Sequence, residues 1–146
     1  GVTTVIPFLS SYTVPKLDTG KIHKRAERWR KIAVSAAKQC GRSRIPEVRS
    51  LCSFENFLRE PWPETLKLIF WENETEQSVH ELFQKCREAK SVLLAIGPEG
   101  GFSKREVELA NAQGFQSVHM GRRILRAETA ALGALTIVQF LWGDLS

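Results

Sequence analysis

Cysteine and histidine are scarce in this chain, and neither is spaced as a metal site or a disulfide framework requires. There are three cysteines, Cys40, Cys52 and Cys86, no C-x-x-C pair, and three histidines at no metal-ligand spacing. An odd number of widely spaced cysteines argues against disulfides and structural zinc. We therefore predict no metal, three cysteines that serve as small buried apolar side chains, and a reducing, cytoplasmic compartment.

Long apolar runs are also missing. No stretch reaches the roughly 20 residues of a membrane-spanning helix, and no basic-then-apolar signal segment opens the chain. The 146 residues are 42% hydrophobic and 25% charged, which is typical of one globular domain with its own core. This composition excludes fibrous and largely disordered proteins.

Positive charge is concentrated in the first third of the chain. Between Lys16 and Arg49 there are eleven Lys or Arg and three acids, whereas the rest has ten bases and thirteen acids. Such a region is typical of a protein with a polyanionic partner, most often nucleic acid. The alternative is a solvated helix face.

A helix predicted over residues 21–40 carries much of this charge. Lys24, Arg28 and Lys31 fall on the face opposite its apolar residues and, with Arg42, are candidate contacts for nucleic-acid phosphates. The apolar residues recur at three- and four-residue steps and form one stripe, made of Ala26, Trp29, Ala33, Ala36, Ala37 and Cys40.

Strand-like and helical segments alternate along the whole chain. The patterns predict strands over residues 2–9, 47–51, 66–71, 91–96 and 115–120, and helices over residues 21–40, 53–59, 76–90, from Ser103 onward and over 127–142. The run 91–96 is almost purely apolar, as in a strand buried on both faces. Ser103 and Glu106 form a capping box. This alternation predicts an α/β fold with a mostly parallel sheet flanked by helices.

The last predicted helix, residues 127–142, has almost no polar face. A helix that is apolar all round is buried on all sides. In a chain this small, one face should pack on the sheet and the other on a second copy. We predict a homodimer through this C-terminal helix.

A glycine-rich segment, residues 97–102, directly follows the apolar strand. Its glycines permit tight turns and close backbone approach, and ligands bind at the carboxyl ends of parallel strands. The segment lacks the Walker and dinucleotide fingerprints, and Glu99 would repel a phosphate. It suits a neutral or cationic ligand, and a strand-to-helix turn without a ligand stays open.

A second segment, residues 120–130, leads into the last helix. Ile124 and Leu125 stand among three arginines, and apolar residues in a loop suggest a pocket wall. Arg126 and Glu128 lie at the start of an otherwise apolar helix. They are either an ion pair that closes the helix end or a pair of functional groups. Spacing alone favours the ion pair.

Several separated motifs carry a resemblance to a known family. They are residues 93–103, Glu106, and residues 114–115 and 121–131, together with residues 28–33, 36–37, 39–42 and 46–48. These motifs resemble the SPOUT methyltransferases, and more closely the bacterial family that methylates N3 of a uridine in small-subunit ribosomal RNA. The resemblance spans nearly the whole chain.

This resemblance implies a fold, a cofactor and a substrate. The C-terminal part of the sheet would be threaded into a trefoil knot, with the knot helix at a dimer interface, and the substrate would be the assembled small ribosomal subunit. Arg126 would stabilise negative charge on the uracil, and Glu128 would orient Arg126 or relay the proton. S-adenosylmethionine would be bound by the two loops, through Gly97, Gly100, Met120, Gly121, Ile124, Leu125 and Ala130.

Members of this family also carry an N-terminal PUA-like barrel, followed by a first strand and helix. The chain begins at Gly1 on a strand-like run, so we expect residues 1–146 to form the methyltransferase domain without those parts. Two alternatives stay open: another SPOUT activity, on ribose 2′-O or another base, and a non-catalytic RNA-binding assembly module. A Rossmann-type nucleotide binder is disfavoured by the missing fingerprint.

Overall fold

Short parallel strands alternate with helices along the chain. The computed structural model describes residues 1–13, 19–63 and 65–145. Every pair of strands in it is parallel, which confirms the predicted α/β class with parallel strands. The elements are β1 (Thr4–Val5), β2 (Phe8–Leu9), α1 (Thr19–Gln39), β3 (Glu47–Val48), β4 (Cys52–Ser53), α2 (Phe54–Arg59), β5 (Leu66–Phe70), α3 (Val79–Lys85), β6 (Val92–Ile96), α4 (Lys104–Ala112), β7 (Gln116–Val118) and α5 (Ala127–Trp142).

The chain folds as two compact units, and the first consists of Gly1–Leu9 and the chain from α1 to Phe57. Here β1 pairs with β3 and β2 with β4. The single strand predicted over residues 2–9 is therefore wrong in detail. It is interrupted at Pro7, which has no N–H to donate to a sheet.

Helix α1 matches its prediction closely and ends at the expected place. Gly41 follows it with a φ of +72°, the left-handed conformation that commonly ends a helix. Ala26 and Ala37 are buried, but Ala36 and Cys40 are exposed. The predicted apolar stripe was thus too wide: at about 100° per residue Ala36 falls beside the buried row, and Cys40 lies just beyond the end of the helix.

The second unit consists of Ser10–Thr13 and the chain from Leu58 onward. Its three-stranded sheet has the order β6-β5-β7, and Leu68 and Ile69 of the central β5 are fully buried. In β6 only Ala95 is buried. The prediction that residues 91–96 are buried on both faces is wrong, since β6 lies at the edge of this sheet. A cluster of buried side chains packs around β5 and comprises Leu68, Phe70, Val79, Leu82, Val118, Ala134 and Val138.

Helix α3 is shorter than predicted at both ends. Ser78 and Glu81 form a capping box at its start, and it ends before Cys86. The preceding residues are not helical because the Glu74 carboxylate accepts the backbone N–H groups of Thr75, at 3.0 Å, and Glu76, at 2.9 Å. Such side-chain bonds compete with helix formation.

Helix α5 has the predicted bounds and packs one face on the sheet, as predicted. It contacts β6, with Ala134 and Val138 buried. On other sides Leu132 is 69% exposed and Phe140 is 60% exposed. These apolar side chains are open to solvent in the single chain, and their cover by a second copy stays a prediction.

Three further observations concern the described residues only. None of their helices combines the length and apolar character needed to cross a bilayer. No three of their His, Cys, Asp or Glu side chains are grouped so that they could hold a metal ion. Cys40 is exposed, and Cys52 and Cys86 are half-buried, so the prediction of three buried cysteines is wrong.

Candidate active site

A cavity of about 740 Å³ lies at the carboxyl edge of the three-stranded sheet. Three chain segments line it, each continuing from a strand: residues 71–72 after β5, 97–101 after β6 and 119–130 after β7. The crevice outside the carboxyl ends of parallel strands is where open α/β sheets bind ligands. The cavity therefore occupies the position expected of an active site.

The glycine-rich segment forms a tightly curled wall of this cavity. Gly101 has a φ of +69°, and its N–H donates to the carbonyl of Pro98 at 2.9 Å. The curl brings Gly97 so close that a Cβ there would lie 3.1 Å from the carbonyl carbon of Gly101. A side chain at position 97 would therefore require the backbone at Gly101 to shift by a few tenths of an ångström.

Two bonded groups anchor the end of this segment. The Trp71 side chain donates from Nε1 to the carbonyl of Phe102 at 3.2 Å. Ser103 then caps α4, and Glu106 completes the predicted capping box by accepting the Ser103 N–H at 2.9 Å. The strand-end loop is thus held between β5 and the start of α4.

The Glu106 carboxylate is buried and fully committed to hydrogen bonds. It also accepts the backbone N–H of Ser11 at 2.8 Å. Burial alone raises the pKa of the Glu106 carboxyl, but the hydrogen bonds from Ser11 and Ser103 outweigh burial and hold this pKa below its ordinary value. The group is therefore a structural carboxylate that stays charged at neutral pH.

The second wall of the cavity is the segment between β7 and α5. Gly121 has a φ of +110°, and its N–H donates to Nδ1 of His119 at 3.0 Å. Ile124 is 82% exposed. Arg126 is the N-cap residue of α5 by its backbone, and its guanidinium only donates hydrogen bonds, so it cannot cap the helix N–H groups. Its side chain is exposed and lines the cavity.

All nine residues predicted for the cofactor and the chemistry line this one cavity: Gly97, Gly100, Met120, Gly121, Ile124, Leu125, Ala130, Arg126 and Glu128. Within the described part of the chain no ion pair joins Arg126 to Glu128, contrary to the interpretation that spacing favours. Both side chains are exposed. Their roles remain predictions.

Sequence reasoning missed the cavity residues Trp71, Glu72 and His119. Their positions in the sequence could have predicted them, since these residues directly follow predicted strands or lie at the end of one, and the strands belong to the same parallel sheet. Glu72 lies against the glycine segment, where its carboxylate occupies the space of a Cβ on Gly101. Glu72 and Glu99 give that wall negative charge, whereas Arg122 and Arg123 line the opposite wall.

The candidate RNA contacts lie in the first unit. Lys24, Arg28 and Lys31 are exposed on α1, and their spacing of four and three residues sets them on one face. Arg42 is half-buried, and its Nη1 donates to the carbonyl of Val2 at 2.7 Å. Arg42 thus already serves the chain's own backbone, unlike the other three.

Comparison with known proteins identifies the family. A family model described as an RNA methyltransferase domain matches residues 1–139. The chain belongs to this family. It is 35% identical over 144 residues to the ribosomal RNA small subunit methyltransferase E of Bacillus subtilis, a match that covers 96% of this chain and 56% of that protein.

Two solved structures resemble this chain over nearly its full length. One is a ribosomal RNA small subunit methyltransferase E from Neisseria gonorrhoeae bound to S-adenosyl methionine, with 34% identity, a TM-score of 0.89, and coverage of 100% of this chain and 58% of that one. The other is a putative methyltransferase from Legionella pneumophila in complex with the bound cofactor SAM. It has 37% identity, a TM-score of 0.91, and coverage of 99% and 58%. The chain thus spans somewhat more than half the length of the relatives it matches.

The left-handed conformation of Gly101 predicts a specific stability difference between two glycine variants. Gly101→Ala should destabilise the domain by about 1–2 kcal/mol, the usual cost of an L-residue in this region, and by more where the displaced Glu72 carboxylate finds no equivalent place. Gly133→Ala is the control, because Gly133 lies inside α5 and an added Cβ would meet only Met120 Sδ, at 3.9 Å. It should stabilise by about 0.5–1 kcal/mol. Urea unfolding measures both, and equal effects would contradict the argument.

Proposed function

We propose that this domain transfers a methyl group from S-adenosylmethionine to N3 of a uridine in small-subunit ribosomal RNA. The observation that carries the proposal is the cavity between the glycine segment and the segment that leads into α5. It lies in a chain that is 34–37% identical to proteins solved with this cofactor. A ribosomal substrate of this kind would make the enzyme cytoplasmic.

The residues of the cavity fit such a cofactor. The glycine wall offers backbone groups and the carboxylates of Glu72 and Glu99, without a basic side chain among its lining residues. This wall is unsuited to a phosphate and suited to a neutral nucleoside that carries a cationic sulfur. The bound cofactor supplies an activated methyl group. Gly97, Gly100, Met120, Gly121, Ile124, Leu125 and Ala130 are the positions that we propose to hold it.

Uracil N3 presents the main chemical difficulty. It carries a weakly acidic proton that must leave before the nitrogen lone pair can form a bond to carbon. Negative charge then spreads over N3 and the two neighbouring carbonyl oxygens. A cation that is already positioned beside these atoms lowers the barrier to methyl transfer more than a group that must first reorient, because it is in place before the charge develops.

Arg126 is the residue that we propose for this role. It lines the cavity with an exposed side chain that can donate several hydrogen bonds. Glu128, in the first turn of the same helix, would orient Arg126 or accept the proton. The absence of an ion pair between these two described residues leaves each of them able to meet the base.

We propose that the assembled enzyme is a homodimer and that its C-terminal part is knotted. The dimer is supported by the open apolar face of α5, with Leu132 and Phe140 exposed. Sedimentation tests it, and a monomer at micromolar concentration would contradict it. The SPOUT resemblance supports the trefoil knot and the assignment of residues 1–146 to one methyltransferase domain. A crystal structure with an unthreaded chain would exclude the knot.

The proposed function predicts selective binding of the methyl donor. Calorimetric titration of the chain with S-adenosylmethionine should show saturable binding, whereas NAD and ATP should not bind, because the glycine segment lacks the dinucleotide and Walker fingerprints. Circular dichroism establishes whether the titrated chain is folded. A folded chain that binds no methyl donor would exclude the proposal for this domain.

Arg126→Ala is expected to separate binding from chemistry. Methyl transfer to isolated small ribosomal subunits should fall by about 10²–10³-fold, while the dissociation constant for S-adenosylmethionine stays unchanged. Arg105→Ala removes an exposed arginine from α4 and is the matched control. Digestion of the RNA should yield 3-methyluridine. An equal loss of cofactor binding would refute the role of Arg126, and a 2′-O-methyl product would favour another SPOUT activity.

The basic face of α1 is expected to contact RNA phosphates. Replacing Lys24, Arg28 and Lys31 by Glu should weaken RNA binding. It should also make the slope of log K against log salt concentration shallower, by roughly 0.7 for each single-strand phosphate that the variant no longer neutralises. Lys90→Glu, at an exposed residue outside this face, controls for net charge. Fluorescence anisotropy with a uridine-containing RNA measures both. If Lys90→Glu lowers the RNA affinity and its salt dependence as much per reversed charge as the triple variant does, the basic face of α1 has no special role in RNA binding.

A further inference from the structure

A four-residue turn, Ser10–Thr13, packs with the second unit beside the glycine segment. The Thr13 N–H donates to the Ser10 carbonyl at 3.0 Å, and the Ser10 N–H donates to Thr13 Oγ1, also at 3.0 Å. These two bonds make a closed β-turn with Ser11 and Tyr12 at its centre. The turn is therefore a preformed element rather than an open stretch of chain.

A buried carboxylate ties this turn to the start of α4. Glu106 Oε1 accepts the Ser11 N–H at 2.8 Å, while Oε2 accepts the N–H and the hydroxyl of Ser103 at 2.9 and 2.8 Å. The bond to Ser11 spans 95 positions of sequence. A capping box needs only the bonds to Ser103, so the bond to Ser11 is an additional task for the same side chain.

The chain contains a second capping box for comparison. Glu81 accepts the N–H and the hydroxyl of Ser78 at 2.8 and 2.7 Å at the start of α3. Glu81 is exposed and accepts no hydrogen bond from a distant segment among those described. The two glutamates thus share the cap and differ in the bond to the turn.

The turn meets the glycine segment through Tyr12. A Cβ on Gly100 would lie 2.8 Å from Tyr12 Cβ and 3.4 Å from its Cγ. Only a glycine fits there while the turn keeps its place. Gly100 also lines the cavity, so it lies between Tyr12 and the space that the cofactor would occupy.

We propose that Glu106 is a positioning residue for ligand binding: it holds the Ser10–Thr13 turn so that Tyr12 supports Gly100 and keeps the glycine segment in its binding shape. The inference rests on the proposed function, because the ligand is S-adenosylmethionine. A segment with three glycines loses much conformational freedom when it is ordered. Support from Tyr12 removes part of this cost before the ligand arrives, which raises affinity.

Two variants test this inference against one control. Glu106→Ala removes both sets of bonds. Ser11→Pro removes the bonds that the Ser11 N–H and hydroxyl give to Glu106 and keeps the capping box, at a turn position where proline is favoured. Glu81→Ala removes the matched capping box on α3. The readouts are the dissociation constant for S-adenosylmethionine, the amide exchange of Gly101 without ligand, and the thermal midpoint.

Glu106→Ala and Ser11→Pro should each weaken cofactor binding on the order of tenfold, as expected for the loss of a hydrogen bond to a charged group. Exchange at Gly101, whose N–H donates to the Pro98 carbonyl, should rise by a similar factor. Glu81→Ala should lower the thermal midpoint and leave binding and loop exchange as in the original protein. This pattern separates positioning from general loss of stability.

The results also distinguish this inference from the proposed function. If the original protein binds S-adenosylmethionine and folded Ser11→Pro binds it equally well with unchanged loop exchange, the positioning role is refuted and the proposed function stands. If the original protein binds no methyl donor, the proposed function fails and with it the ligand named here. If Glu106→Ala does not fold, Ser11→Pro alone decides the outcome.

Discussion

The parallel alignment of β5, β6 and β7 is the constraint on which the second unit depends. In a parallel sheet each strand returns through a crossover, so all carboxyl ends emerge at one edge. The register pairs Phe70 with Ile96 and with Val118, so the three strands reach that edge at the same level. Segments distant in sequence are thereby brought around one cavity.

Carboxylates serve this arrangement in two different ways. Glu74 and Glu106 accept backbone N–H groups and hold the segments behind the cavity in place. Burial tends to raise the pKa of the Glu74 carboxyl, but bonds from Ser117 and from the following backbone N–H groups lower it, so Glu74, like Glu106, remains charged. Glu72, Glu99 and Glu128 are exposed instead, and their charges face the cavity.

The predictions that held depend on short-range chemistry. The capping box of Ser103 and Glu106, the bounds of α5 and the alternation of strands and helices all follow from residues within about four positions of each other. Helix α3 was overestimated because Glu74 binds Ser117, 43 positions away, and shapes the backbone before the helix. The burial of β6 was overestimated because an apolar run does not reveal which strand lies at an edge.

Local spacing is enough to predict the fold class and the glycine segment, whereas the set of residues proposed for the cofactor follows from the family resemblance that the continuous motifs carry. The packing of the chain was needed to show that Arg126 and Glu128 form no ion pair with each other and that Glu72 joins the cavity. It also decided that Glu106 reaches Ser11 and that Tyr12 meets Gly100. These contacts depend on side-chain placement or join residues far apart in the chain, and packing alone sets such distances.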